Sequence, residues 1–241
     1  MADYLGPYLL GPNSTPENGI YCGDALELAR AIPDESVDLI FTDPPYIGDV
    51  LHLYEWLGRF AYRVLRSGGS LLCFFGTGFL PQVLGALSAG GMTYRWQMTI
   101  KWAGLPVFYG RIAVVGQSCL WLEKGHAIPS SMVRDVWIVS QVSKTRTKYY
   151  QASDSNWSGG NASWDKDTEP VTMWADAFTV PGDVIVDPFV GYGTMAVASQ
   201  NCGAHYLAFE IDHSTCEMAR ERVRMAQPPL FVPEPQQLEM L

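Results

Sequence analysis

Apolar positions along this chain come in two kinds of run. Continuous apolar stretches at Val37–Phe41, Ser70–Phe75, Val184–Val186 and Tyr206–Phe209 have the length and composition of strands buried on both faces. Between such stretches the spacing changes. Leu51, Tyr54, Leu57, Phe60, Ala61, Val64 and Leu65 recur at i, i+3 and i+4, which predicts an amphipathic helix over 51–66, stopped by Ser67-Gly68-Gly69. Further helices are expected over 25–31, over 79–89 before Gly90-Gly91, over 170–178 with proline at its start, and over 194–199 and 215–225. Gly19–Cys22, Tyr94–Trp102 and Ser118–Leu122 read as additional strands. The last two flank Gly110 and fit an antiparallel hairpin closing the sheet, while Arg111–Val115 reads as either a strand or a buried loop. Strands alternating with helices predict an α/β fold on a mostly parallel sheet.

The length, 241 residues, suits one domain over 1–241 carrying an insertion better than two domains. Three stretches leave the pattern. Residues 1–18, with Gly6-Pro7, Gly11-Pro12 and Pro16, form a loop-rich lead-in. Residues 125–165 are loop-rich and polar, which in a compact domain marks a functional segment or a solvated loop. Residues 227–241 hold four prolines and read as a flexible, extended tail.

Two motifs carry chemistry. Thr42-Asp43-Pro44-Pro45-Tyr46 directly follows the strand Val37–Phe41, and so stands at a strand's carboxyl end, where open α/β sheets hold ligands. Neither proline donates a backbone N–H and each has φ fixed, which leaves a rigid edge of carbonyl acceptors beside one carboxylate. Such an edge suits an exocyclic amine, with Tyr46 against its ring. Taken alone, the stretch is as readily a strand ended by a Pro-Pro turn. The second motif, Asp187-Pro188-Phe189-Val190-Gly191-Tyr192-Gly193-Thr194, is a glycine loop after another buried strand. Gly191 to Ala196 also fits the dinucleotide pattern G-x-G-x-x-A, with Glu210, nineteen residues past Gly191, as its ribose-binding acid. An NAD-dependent oxidoreductase is therefore the physical rival.

Together and in this order, the two motifs resemble the DNA amino-methyltransferases of the β class, whose catalytic motif precedes the cofactor motif. The resemblance spans residues 19 to 225. It implies a Rossmann-like methyltransferase fold with a seven-stranded, mostly parallel sheet, an antiparallel hairpin and circularly permuted motif order. It implies S-adenosyl-L-methionine as cofactor, with Asp24 at the adenine amine, Asp187 opening the cofactor loop, Phe189, Gly191, Gly193 and Thr194 shaping the methionine end, and Glu210 on the ribose. Asp24 is equally placed to cap the helix that follows it. Asp43, Pro44, Pro45 and Tyr46 become the catalytic residues, acting on a base flipped out of duplex DNA. Asp at the first catalytic position suggests adenine N6, and N4-cytosine stays open, as does RNA or a protein amide. The chain departs from the family at Lys166-Asp167-Thr168-Glu169-Pro170, where His-Pro-Thr-Glu-Lys-Pro is common. The Asp43 motif has no role in hydride transfer, and the glycine loop at 191 leaves too little chain for a dinucleotide domain of two halves. A catalytically idle binding module is the remaining alternative.

Charge complicates the picture. Sixteen Lys and Arg against twenty-five Asp and Glu give a net charge of −9, which argues against tight unaided binding of a polyanion. The basic residues Arg134, Lys144, Arg146 and Lys148 are nevertheless clustered, and Trp137, Tyr149, Tyr150 and Trp157 are interleaved with them, so 125–165 is the expected target-recognition segment. Five cysteines without a CxxC pair argue against a disulfide framework or a metal site. Cys22 and Cys73 read as inert core thiols. A reducing cytoplasm follows. No apolar run reaches the length of a membrane span, and no basic region precedes the first apolar residues as in a signal peptide. Relatives often dimerise; these residues neither require nor exclude a homodimer.

Overall fold

Strands of this chain alternate their side chains between two helical layers. The computed structural model describes residues 19–46, 50–101, 106–138 and 168–226. Its strands are β1 (Ile20–Cys22), β2 (Val37–Thr42), β3 (Leu65–Phe75), β4 (Thr93–Lys101), β5 (Val107–Tyr109), β6 (Ile112–Val114), β7 (Gly116–Glu123), β8 (Val136–Ile138), β9 (Val184–Asp187) and β10 (His205–Glu210). Its helices are α1 (Ala25–Leu28), α2 (Leu51–Val64), α3 (Leu80–Ala89), α4 (Thr168–Phe178), α5 (Thr194–Asn201) and α6 (His213–Met225).

The main sheet runs β1-β10-β9-β2-β3-β7-β4-β8. Pairs β1·β10, β10·β9, β9·β2, β2·β3 and β4·β8 are parallel, whereas β7 is antiparallel to both β3 and β4. Along β2, Ile40 joins a core with α2 and α3, while Leu39 and Phe41 face the opposite layer. On that second face Trp174 of α4 lies 6.5 Å from the Phe41 ring and 6.2 Å from the Phe74 ring, filling the space that strand and helix leave between them.

Two expectations need correction, the strand count and the burial of Cys22. The sheet has eight described strands, not seven, because residues 136–138 add an edge strand within the stretch expected to be loop-rich. That part of the stretch is tied down: Thr99 donates its N–H to Asp135 O at 2.7 Å, and Trp174 Nε1 donates to Arg134 O at 3.1 Å. Trp137 is half-buried and packs on the Phe41 layer. Of the two readings of Arg111–Val115, the strand holds: β6 pairs with β5 in a separate two-stranded ribbon, with Ile112 64% exposed. Cys22 is exposed, because β1 is the edge strand of the described sheet, while Cys73 is buried as expected. Lys144, Arg146, Lys148 and the segment 227–241 lie outside the described residues.

Helices α2 and α3 approach so closely that side chains are excluded. A Cβ on Gly58 would stand 2.5 Å from Leu87 O, and one on Gly90 would stand 2.2 Å from the Gly58 carbonyl carbon. Both neighbours are backbone and cannot swing aside. Gly58→Ala is therefore expected to cost about 3 kcal/mol. In a chain of this size that is a fall in Tm of roughly 6–12 °C, readable by calorimetry.

Candidate active site

Topology brings four carboxylates to one edge. The strands β1, β10, β9 and β2 are consecutive neighbours and all run the same way. Asp24 follows β1, Glu210 ends β10, Asp187 ends β9 and Asp43 follows β2. At the usual strand separation this row spans roughly 14 Å.

Each acid is held differently. Asp24 caps α1, its Oδ1 accepting the Leu26 N–H at 2.8 Å, so the capping role is realised. The residue is exposed, and the carboxylate is accessible to a ligand beside the cap. Glu210 takes the Gly191 N–H on Oε2 and the Asp212 N–H on Oε1, both at 3.0 Å, which ties the glycine loop to the end of β10. Asp187 is buried, and its Oδ1 receives the Thr42 hydroxyl at 2.6 Å and the Phe189 N–H at 3.0 Å. The first of these bonds fastens the catalytic strand to the strand that launches the glycine loop, across 145 residues of sequence. Asp43 comes next after Thr42. One of its carboxyl oxygens is enclosed although the residue as a whole is half-buried. Burial first, then the neighbouring Asp187 charge, pushes its pKa well above the usual carboxylate range.

The glycine loop shows why its residues are small. Gly191 has φ 50° and Gly193 φ 86°, the left-handed region. A Cβ on Gly193 would press on Ala219 of α6 at 3.2 Å, whereas nothing lies within 4 Å of one on Gly191, which faces open space. Phe189 packs its ring edge-on to Trp56 of α2 at 6.0 Å. Thr194 is buried, and its hydroxyl accepts from Arg222 Nη1 at 3.1 Å; the same guanidinium reaches Tyr192 O and, through Nη2, Thr168 Oγ1. Thr194 thus ties the loop to α6 and to the start of α4. Pro44 is buried, Pro45 exposed and Tyr46 half-buried. The Tyr46 hydroxyl is hydrogen-bonded by Gln117 of β7. Arg134 is exposed on the approach to β8. A hollow of about 330 Å³ lined by Leu26, Ala29, Trp56 and Phe60 opens on the α1–α2 flank, and no motif residue lines it.

A row of acceptors beside an open glycine loop fits a cationic ligand rich in hydroxyl and amine donors, and a sulfonium nucleoside has those features. A family model described as a DNA methylase, of the N6/N4 methyltransferase type, matches residues 37–221, both motifs included. The chain belongs to this family. Its members are the S-adenosylmethionine-dependent DNA methyltransferases. The chain is 26% identical to the type II methyltransferase M.BamHI of Bacillus amyloliquefaciens, over 85% of its own length and 56% of that enzyme's. It thus spans about half the length of that relative. Its fold matches the crystal structure of the M1.HpyAVI–SAM complex with a TM-score of 0.67 at 20% identity, over 86% of this chain and 98% of that one. It matches the cytosine-N4-specific PvuII DNA methyltransferase at 0.65 and 16% identity, over 85% and 89%. Membership of the methylase family removes the dinucleotide reading. No described helix is long and apolar enough to cross a membrane.

Four residues at the site escaped sequence reasoning: Thr42, Trp56, Gln117 and Arg222. Trp56 stacks on Phe60 at 4.9 Å and lies off the main apolar stripe, and its large apolar ring on a predicted helix was the one available signal. For the other three, polar side chains acquire a task only through partners distant in sequence.

Proposed function

We propose that this protein transfers a methyl group from S-adenosylmethionine to an exocyclic amine of a DNA base flipped from the duplex, with adenine N6 as the target and cytosine N4 as the second reading. The observation that carries the proposal is the Thr42–Asp187 bond, which sets Asp43 beside the cofactor loop. The cofactor, when bound, supplies an electrophilic methyl carbon on a sulfonium. Asp24 is suited to its adenine amine and Glu210 to its ribose hydroxyls, while Asp187, Phe189, Gly191, Gly193 and Thr194 shape the loop around it.

The amine nitrogen is a weak nucleophile because its lone pair is delocalised into the ring. The Asp43 carboxylate and the Pro44 carbonyl accept its two hydrogens and draw the nitrogen towards a tetrahedral, more nucleophilic form. The two prolines hold both acceptors still, so the gain is preorganisation and positioning. Tyr46 stacks on the base. After transfer the nitrogen is cationic and gives up a proton to Asp43 or to water. Asp43 before the base pair of prolines and tyrosine favours adenine, and the motif order along the chain is that of the β class. Arg134 and the basic residues at 144, 146 and 148 are assigned to the DNA backbone. They offset an acidic surface whose net charge is −9. The chain as a single methyltransferase domain, with 125–165 as its target-recognition segment, completes the reading.

Incubation with tritiated methyl donor and unmethylated duplex DNA, then nucleoside chromatography, tests it. Label in N6-methyladenine is expected; label in N4-methylcytosine selects the second reading, and no label in DNA rejects both. A pH dependence follows from Asp43. Its carboxylate must be ionised to accept the amine, and its pKa is raised by burial and by Asp187. Single-turnover rates are therefore expected to fall with acidity at a midpoint well above the ordinary carboxylate range of about 4.

A further inference from the structure

Tyr46 carries a contact that the reaction above does not use. Its hydroxyl is bonded by the side-chain amide of Gln117. Gln117 is the second residue of β7 and pairs with Ile100 of β4, and from the next residue on β7 is also paired with β3. The amide therefore projects from a strand fixed on both sides. At its other end the tyrosine rests on the loop after β3. The position a Gly76 Cβ would take lies 3.7 Å from Tyr46 Cβ and 3.4 Å from the Phe79 ring. The same loop is joined to β7 next door, where Ser118 Oγ accepts from Thr77 Oγ1 at 3.5 Å and from Gln97 Nε2 at 3.2 Å. Thr77, Gln97 and Ser118 thus link the loop after β3 with β4 and β7, next to Gln117.

A tyrosine ring held only through Cα–Cβ sweeps two torsions. A bond at the phenol oxygen, the point farthest from the backbone, fixes the first torsion and with it the line along which the ring stands; the second turns about an axis through that oxygen and is left to the packing around the ring. We propose that Gln117 is a positioning residue that fixes where the Tyr46 ring stands, with its hydroxyl end drawn to β7 and its body left beside the target base. The inference rests on the reading of Tyr46 as the stacking wall. It has a consequence for selectivity: a phenol whose oxygen is drawn to Gln117 on β7 stands away from the edges of a base stacked on its ring, so discrimination among bases falls to Asp43 and Pro44. Gln117 touches neither base nor donor.

A double-mutant cycle tests this, with Gln117→Leu, Tyr46→Phe and the pair compared in single-turnover methyl transfer to unmethylated plasmid DNA, alongside calorimetric donor binding and Tm. Each single variant is expected to lower the transfer rate by about tenfold, the worth of one hydrogen bond, with unchanged donor affinity. The double variant is expected to be no slower than the slower single. Two losses that multiply, or a wild-type rate in Gln117→Leu, overturn the proposal. Should Gln117→Leu fail to fold, Gln117→Glu decides the matter, because its carboxylate can accept the phenol O–H and so keep the link with donor and acceptor exchanged. A rate near wild type supports the proposal, and a loss equal to that of Tyr46→Phe overturns it. Wild-type protein that methylates no nucleic acid overturns the functional reading itself, before any variant is compared.

Discussion

Asp43→Ala is expected to abolish methyl transfer while S-adenosylmethionine still binds with its wild-type affinity. Asp43 lies at the tip of β2, and the glycine loop is held by Glu210 and Asp187. Asp43→Asn is the sharper variant. It keeps the shape and one acceptor but presents an amide NH₂ that competes with the substrate amine, so a loss on the order of 10³-fold in turnover is expected. The same change should not destabilise the protein. Burial and the Asp187 charge raise the Asp43 pKa in the folded state. The folded chain then binds that proton more tightly than the unfolded chain, so stability declines as pH rises from about 4 towards the raised pKa. Removing the carboxylate removes that decline. At neutral pH Asp43→Asn is expected to melt at or above the wild-type temperature, with the difference shrinking as pH falls to about 4. Transfer at the wild-type rate in either variant would take Asp43 out of the mechanism.

Glu210→Ala should produce the largest loss of donor affinity. Both carboxylate oxygens are engaged with backbone N–H groups, one in the glycine loop and one at Asp212 just before α6. The alanine variant thus loses the group assigned to the ribose and the strut that sets Gly191. Charge-assisted bonds of this kind are each worth roughly 1.5–3 kcal/mol, so a weakening on the order of 100-fold or more is expected in titration calorimetry. Glu210→Gln separates the two effects. Its amide oxygen can still accept the Gly191 N–H, and its NH₂ then faces the Asp212 N–H, so it should keep much of the melting temperature and lose most of the affinity. Unchanged affinity in Glu210→Ala would refute the ribose assignment.

Legibility in the sequence followed burial. Strands β2, β9 and β10 announce themselves because each is covered on both faces and reads as an unbroken apolar run. The α2 stripe is as clear, since one face meets the sheet. Edges were obscure. At Cys22 the strand leaves the core, and an apolar run does not tell where that happens. At β8 three residues gain their strand geometry from β4, not from their own pattern. Gly68-Gly69 looked like a helix stop, but β3 starts at Leu65 and shifts register there, Val37 facing Leu65 and Leu39 facing Ser70. The motif residues were legible by type and spacing. Their supports were not, because Thr42, Gln117 and Arg222 find their partners 145, 71 and 28 residues away along the chain.

The neighbour relations of β2 and β9 also bear on how the polypeptide is made. As it leaves the ribosome, the first third emerges with β1 lacking its described partner β10 and β2 lacking β9, since both are translated late. Two apolar strands with bare hydrogen-bonding margins must wait for the rest of the chain, a state prone to pair with other nascent chains. A message truncated anywhere before codon 184 should therefore yield aggregate or a proteolysed product, with no half-size folded fragment. Efficient production would then depend on holdase chaperones more than is usual for a protein of this length.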